Sequence, residues 1–311
     1  MLRNRADPRL LLSTAAAPAV WGTTYYVTTQ YLPPDRPLLA ATARALPAGL
    51  LLTALTRQLP RGSWWWRAAV LGALNMGACF PLLFVAAYRL PGGVAATVGA
   101  VQPLLVAALS TGLLGERLTR RTLLAGLAGM VGVSLLVLRP GARLDWLGVL
   151  AALGNATVMA TGVVLAKRWP SPAPLLATTG WQLVTGGLLL LPLSLLVEGP
   201  PPAHLTGRNL LGYGYLTLLG AAVAYALWFR GLRALTPTRV AFLTLLSPLV
   251  ATTVGWLALG QSLTPLQLLG AAVVLTSILI AQRGRPAGPP SRPPKHSPST
   301  STQEETTIPC A

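Results

Sequence analysis

Leu235 to Thr264 reads LTPTRVAFLTLLSPLVATTVGWLALGQSLT, an apolar run with one central proline, Pro248, closed by Gly260-Gln261 and a turn. The same pattern stands 145 positions earlier (235 less 90), from Leu90 to Thr119: LPGGVAATVGAVQPLLVAALSTGLLGERLT. Leu90 falls on Leu235, Pro103-Leu104 on Pro248-Leu249, Leu114-Gly115 on Leu259-Gly260, and Leu118-Thr119 on Leu263-Thr264. A proline inside each apolar span and a glycine at its end, at one fixed offset, mark two copies of one unit.

Composition says what kind of unit. Only 10% of the 311 residues are charged and 53% are hydrophobic, against roughly 25% charged in an ordinary soluble domain. A soluble chain of this length needs polar surface around its cores, and this sequence lacks it, which places it in the membrane class. The net charge of +17 does not describe a nucleic-acid surface. The basic residues lie singly or in pairs between apolar runs, as in membrane loops, and no nucleic-acid partner is expected. Cys79 sits in an apolar span and Cys310 in the extreme tail, so neither a disulfide nor a metal site is expected, and no cofactor either. Arg3, Arg5 and Arg9 ahead of an apolar run with Ala15-Ala16-Ala17 resemble a signal peptide. That run continues apolar past Trp21 and many spans follow, so it reads as a retained first span.

A membrane-crossing helix needs about 20 mostly apolar residues. Such runs fall at 10–31, 37–58, 64–88, 92–114, 120–139, 145–167, 173–197, 209–230, 236–258 and 265–282, with connections carrying Pro, Gly or Arg. The expectation is an all-α polytopic membrane protein of ten helices. Residues 1–9 form an N-terminal segment, 10–139 the first repeat, 145–282 the second, and 283–311 a tail rich in Pro, Ser and Thr that cannot bury a core and is expected to be disordered.

Orientation follows from the basic residues. With the N-terminus in the cytoplasm, the cytoplasmic segments hold Arg3, Arg5, Arg9, Arg57, Arg61, Arg67, Arg117, Arg120, Arg121, Lys167, Arg168, Arg230, Arg233, Arg239, Arg283, Arg285, Arg292 and Lys295. The outer segments hold Arg36, Arg89, Arg139, Arg143 and Arg208, and Arg44 lies within a span, so the count is 18 against 5. Both ends are then cytoplasmic, in a multi-pass protein of the cytoplasmic membrane. Five spans per copy is an odd number, so the second copy stands upside down. The loop Glu116-Arg117-Leu118-Thr119-Arg120-Arg121 becomes Gln261-Ser262-Leu263-Thr264-Pro265-Leu266 in the second copy, with every charge gone. Charges that follow topology while the pattern persists are the mark of an inverted repeat.

The acidic residues Asp7, Asp35, Glu116, Asp145, Glu198, Glu304 and Glu305 all lie outside the spans, and His204 and His296 sit in a loop and the tail. An intramembrane enzyme would have no acid, base or metal set to work with, and a carboxylate proton relay has no members. Facilitated or exchange transport is therefore expected. Arg44 is the ionisable residue clearly inside a span, at a cost of about 2.5–3.5 kcal/mol unless it snorkels or finds a partner. It either reaches the interface or a backbone carbonyl, or it meets a carboxylate-bearing or polar substrate. Other polar groups within spans are Trp21-Gly22-Thr23-Thr24-Tyr25-Tyr26, Asn75, Gln102, Asn155, Trp181-Gln182, Tyr225 and Ser247. Gly72/Ala73/Gly77 and Gly126/Gly129/Gly132 read as helix-packing faces, and Trp64-Trp65-Trp66 as an interface belt. Pro103 and Pro248 each free a carbonyl in mid-helix. As paired markers in two inverted copies, they point to a midplane site between the halves, with a structural kink as the alternative.

Tyr225 to Ala281 resembles the second half of an EamA-type transporter of the drug/metabolite transporter superfamily. In the first half Trp21-Gly22, Arg44 and Pro103 with Leu114-Gly115-Glu116-Arg117 fit the same pattern, so the likeness covers nearly all of residues 10–282. One departure is Gln261, where a Glu is usual after the second glycine. The resemblance implies a ten-helix carrier with a cavity between its halves, lined by spans one, three, four, six, eight and nine, that exports amino acids, metabolites or drugs. Trp21, Tyr25, Arg44, Gln102, Asn155, Trp181 and Tyr225 are the expected substrate contacts, with Pro103 and Pro248 marking the cavity. The expected partners are a small-molecule substrate and the lipid bilayer, and a homodimer is compatible with such a carrier. Two other classes stay open. A translocase of lipid or lipid-linked substrates would show an apolar opening toward the bilayer, and a membrane enzyme would show a convergent acid, base or metal cluster.

Overall fold

The structure is a computed structural model that describes residues 7–90, 92–137, 145–260 and 263–283. Arg3, Arg5, Gln261 and the whole tail beyond Arg283 lie outside the described residues, so their expected roles find no counterpart here.

Ten helical rods follow one another, with no strand among the described residues. Three rods of the first half are continuous, α1 (Pro8–Tyr31), α2 (Pro37–Thr56) and α7 (Arg120–Val137), and the second half opens on two more, α8 (Trp146–Arg168) and α9 (Leu175–Glu198). Between α2 and α7 lie two interrupted rods. One runs α3 (Trp64–Gly72), a π-helical turn Ala73–Ala78, and α4 (Cys79–Arg89), and the other runs α5 (Gly92–Gly99) and α6 (Gln102–Leu114). After α8 and α9 the second half repeats the interrupted rods with α10 (Gly207–Thr217), a π turn Leu218–Val223, and α11 (Ala224–Ala234), then α12 (Pro237–Leu243) with α13 (Leu246–Leu259), and ends on the continuous α14 (Pro265–Gln282). Nine of the rods, among the described residues, are long and apolar enough to cross a membrane. The remaining one, α1, has 24 residues. Its Thr23 to Gln30 run of threonines, tyrosines and a glutamine lowers its hydropathy.

The halves match feature by feature at the sequence offset. The π turns begin at Ala73 and Leu218, 145 positions apart (218 less 73). The helix-ending glycines, Gly115 (φ 69) and Gly260 (φ 64), both take the left-handed conformation that a side chain disfavours. The two rods that carry the repeated proline are broken just before it: α5 stops at Gly99 ahead of Pro103, and α12 stops at Leu243 ahead of Pro248, whereas Pro18, Pro47 and Pro192 lie inside unbroken helices. Proline has no N–H to give the preceding turn and sits at ease in the first turn of a new helix. The expected kinks at Pro103 and Pro248 are full breaks, bridged by tight turns such as Val101 N–H to the Val98 carbonyl and Ser247 N–H to the Thr244 carbonyl.

Small residues set how closely the rods approach. A Cβ on Gly49 would stand 2.5 Å from the Val184 amide nitrogen, one on Gly180 2.8 Å from Thr53 Oγ1, and one on Gly187 2.7 Å from Leu46 Cβ. Residue numbers rise on α2 as they fall on α9, so the two helices cross antiparallel. Helices α7 and α14 do the same. Ser277 Oγ donates to the Ala125 carbonyl at 2.6 Å, Gly270 abuts the Gly132 carbonyl, and Gln267 Nε2 donates to the Leu136 carbonyl at 3.2 Å. The glycine faces at Gly72 and at Gly126, Gly129 and Gly132 are packing faces, against Thr185 and against Leu104, Leu245 and Val274. Large apolar side chains point outward, as on Leu196, Leu211 and Leu257. With no water outside, this costs nothing in a bilayer, and close packing and hydrogen bonds hold the rods together instead. Trp65 and Trp66 are exposed as belt residues should be, whereas Trp64 is buried against Ala68, Leu71 and Trp181.

Candidate functional site

The two π turns set the site. A π turn leaves the regular i→i+4 ladder, so a carbonyl within it can accept from side chains. In Leu218–Val223 that carbonyl is Gly220. It accepts from Trp21 Nε1 of α1 at 3.1 Å and from Arg44 Nη2 of α2 at 2.9 Å. Arg44 is 8% exposed, about 10 Å along its helix from Pro37 at 1.5 Å per residue. It does not snorkel. Its guanidinium carbon lies 5.6 Å from the ring centre of Phe80 on α4 and 5.8 Å from that of Tyr225 on α11. Trp21 in turn meets Tyr225 at 5.1 Å and Trp228 at 5.3 Å between ring centres. Three of the expected contacts, Trp21, Arg44 and Tyr225, thus form one cluster built from both halves, with Phe80, Trp228 and the Gly220 carbonyl completing it. The Arg44 Nε is buried with no hydrogen-bond partner, and no carboxylate pairs with this cation among the described residues.

Polar contacts continue on both sides of the cluster. Toward one end, Thr23 Oγ1 and the Tyr215 hydroxyl are 2.6 Å apart. The first π turn carries Asn75, whose Nδ2 donates to Gln182 Oε1 of α9 at 3.1 Å. Gln182 also lines a cavity of about 290 Å³ with Lys167, Thr178, Phe229 and Arg233. Lys167 Nζ donates to the carbonyls of Leu232, Arg233 and Leu235 at 2.9, 2.8 and 3.0 Å, which caps the end of α11. Arg233 Nη2 donates to the Ala173 carbonyl at 3.2 Å and to Thr178 Oγ1 at 3.1 Å. Carbonyls satisfy these donors without cancelling their charge, and no acidic residue lines the cavity, although the Glu116 carboxylate acts on Lys167 from beyond the lining.

Of the remaining expected residues, Trp181 lies apart from the cluster. Trp181 Nε1 donates to the Gln58 carbonyl at 2.7 Å, and the 14 positions from Arg44 to Gln58 (58 less 44) amount to about 20 Å of helix. It belongs to a tryptophan contact with Trp64, with ring centres 6.2 Å apart, far from Arg44. Gln102 opens α6 and Asn155 lies on α8, which packs against it. Gln102 Nε2 and Asn155 Oδ1 are each buried without a partner, an arrangement that costs about 1–3 kcal/mol per group. Tyr25 is helical, and its side chain lies outside what is described. Phe80, Trp228 and Gly220 carried no sequence signal, since each is an ordinary member of an apolar run. At the end of α6, Thr238 Oγ1 donates to Glu116 Oε2 at 3.1 Å. Burial pushes the Glu116 carboxyl above its usual 4.5, against the opposing pull of the Thr238 hydrogen bond, Lys167 and Arg239.

Ten rods, two matched halves and a buried polar cluster between them define a multi-pass membrane transporter. The chain belongs to the EamA-like transporter family, which it matches twice, over residues 9–138 and 146–282. It is 49% identical to Protein PecM of Dickeya dadantii over 86% of this chain and 90% of that one. It is 32% identical to the uncharacterized transporter sll0355 of Synechocystis, covering 85% and 87% of the two chains. It is 27% identical to the uncharacterized inner membrane transporter YedA of Escherichia coli K12, covering 86% and 88%. A solved crystal structure superposes with a TM-score of 0.75 at 21% identity, covering 89% of this chain and 97% of the other, a likeness of fold alone. The family's members are transporters, not enzymes, and so is this chain.

Proposed function

We propose that the protein is a secondary carrier of the cytoplasmic membrane that exports small organic molecules, metabolites, amino acids or drugs, bearing an anionic or polar group beside an apolar body. It works by alternating access through the polar cluster between two inverted repeats, residues 10–139 and 145–282. Residues 1–9 and 283–311 lie on the cytoplasmic side. Antiparallel pairing of α2 with α9 and of α7 with α14, each helix against its counterpart, supports the inversion.

The observation that carries this reading is Arg44. A buried guanidinium with no carboxylate partner, one donor held on Gly220 and its Nε free, is placed to take an anionic or carbonyl oxygen. The faces of Phe80, Tyr225 and Trp21 supply apolar contact around it. The cavity lined by Lys167 and Arg233, reached past Gln182, serves as the cytoplasmic vestibule for the same class of substrate. Gln102 and Asn155, buried with a free donor and a free acceptor, offer further polar contacts. The growth media of cells expressing the wild type, Arg44→Met, or no protein should be compared by untargeted metabolite analysis. Anionic or zwitterionic compounds enriched by the wild type and absent with Arg44→Met are the expected result. Enrichment that is equal for both proteins, or absent for both at equal membrane levels, would overturn the reading.

A further inference from the structure

A second cavity, of about 610 Å³, lies between two loops that the transport reading does not use. Its volume falls within the roughly 300–1,000 Å³ of small-molecule sites. One wall is the connection from α2 to α3, with Arg57, Gln58, Leu59, Pro60 and Arg61, and the other is Ser171 to Pro174 between α8 and α9. Both walls are stiff. Arg57 ends α2 in the left-handed conformation at φ 50, Trp181 Nε1 ties Gln58, and Pro60, Pro172 and Pro174 fix their own backbone. The chemistry is one-sided. Arg57 and Arg61 are exposed and line it, neither guanidinium has a hydrogen-bond or carboxylate partner among the described residues, and no acidic residue lines it.

What surrounds the cavity identifies the occupant. Trp65 and Trp66, 58% and 51% exposed, stand at the start of α3 and set this level at the membrane interface. Leu59, 63% exposed, forms part of the cavity edge, and Leu55, 67% exposed, continues the apolar surface along α2. A basic pocket at the interface with an apolar rim suits a molecule with an anionic head and hydrocarbon tails. We infer that this cavity binds the phosphate-bearing headgroup of an anionic phospholipid, its phosphodiester on Arg57 and Arg61 and its acyl chains along Leu59 and Leu55. Trp64 and Ser171 border both this cavity and the one at Lys167, so the lipid head sits against the mouth of the vestibule. The inference stands whether or not the transport reading does.

The full-length protein in a neutral detergent is titrated, by native mass spectrometry, with dioctanoyl phosphatidylglycerol, dioctanoyl phosphatidylcholine and sn-glycerol 3-phosphate. Phosphatidylglycerol should bind at least tenfold tighter than either of the others. At about fivefold per basic residue near an anionic group, Arg57→Gln with Arg61→Gln should weaken it about 25-fold. Arg120→Gln with Arg121→Gln, an equal loss of charge from exposed positions on α7, should leave it within twofold. Equal binding of the two lipids, or an unchanged affinity in the Arg57/Arg61 variant, would overturn the inference. Glycerol phosphate bound as tightly as the lipid would overturn it too, by assigning the site to a soluble anion. Monodisperse elution of each variant confirms that a loss of binding is local.

Discussion

Arg44 sits where a charge is costly, and its surroundings soften the cost only in part. The Gly220 carbonyl takes one donor and two aromatic faces lie within 6 Å of its guanidinium carbon, which supplies about 2 kcal/mol when water is excluded. Arg44→Met should lower transport at least tenfold, measured as initial export rate. The melting temperature should hold, because the Gly220 carbonyl keeps its bond from Trp21 and a buried charge is lost. Arg44→Lys, which keeps the charge without the planar fork, should fall between the two. Equal rates for Arg44→Met and the wild type would leave Arg44 a packing residue. Glu116 allows a second test. Its carboxyl is raised above 4.5 by burial, so the folded protein holds that proton more tightly than the unfolded chain does. Its share of stability is therefore present at low pH and is lost as pH rises from 4.5 through the raised value. The Glu116→Gln variant should show a flatter melting temperature across that window and an equal or higher one at neutral pH. The same slope in both proteins would refute the assignment. At this scale the sequence told half the story. Arg44, Trp21 and Tyr225 stood out as polar or amphipathic groups in apolar runs. Phe80 and Trp228 did not, because an aromatic ring in an apolar run reads the same whether it faces lipid, core or substrate. Trp181 stood out for the same reason as Trp21 and proved to hold the Gln58 turn.

At the scale of elements, the spans were legible because a bilayer demands one long apolar run per crossing. The expected run 37–58 is the helix Pro37–Thr56, and 265–282 is Pro265–Gln282. A disturbance at Pro103 and Pro248 was legible from their repeated position, but its depth was not, since Pro18, Pro47 and Pro192 stand inside unbroken helices. The π turns were not. Ala73–Ala78 and Leu218–Val223 share no residue type that demands a wider turn. Yet the second one presents the Gly220 carbonyl, so the site's central acceptor was hidden from composition. Packing of α2 on α9 through Gly49, Gly180 and Gly187 is directly testable. An alanine at Gly49 would place a methyl 2.5 Å from the Val184 amide, and overpacking of this kind costs about 1–3 kcal/mol. Gly49→Ala should therefore lower the melting temperature in detergent. Gly214→Ala, where nothing lies within 4 Å, should leave it unchanged or raise it through the gain of about 1 kcal/mol in helix propensity. Equal shifts for the two would mean that the α2–α9 contact is loose.

For the whole molecule, the claim that reaches furthest is inversion, because alternating access between matched halves depends on it. The offset of 145 positions aligns the two copies, the one-sided distribution of arginine predicts opposite sides for them, and the antiparallel crossing of counterpart helices is what inversion predicts. The loop between α2 and α3 and the loop between α9 and α10 occupy the same place in the two repeats. Inversion requires them to face opposite compartments. Ser63 in the first and His204 in the second are both exposed and suit single-cysteine substitution. The native Cys79 is buried, and Cys310 in the tail is removed by Cys310→Ser. With a membrane-impermeant maleimide on intact cells, His204→Cys should label at once. Ser63→Cys, and Arg283→Cys at the end of α14, should label only after the membrane is opened. The basic count predicts the absolute direction, since Arg57, Arg61 and Arg67 flank Ser63 while Arg208 is the lone basic residue beside His204. Labelling of Ser63→Cys and His204→Cys from the same side would refute inversion, whichever side it was. Labelling from opposite sides but in the reverse order would keep the inversion and overturn the cytoplasmic placement of the termini.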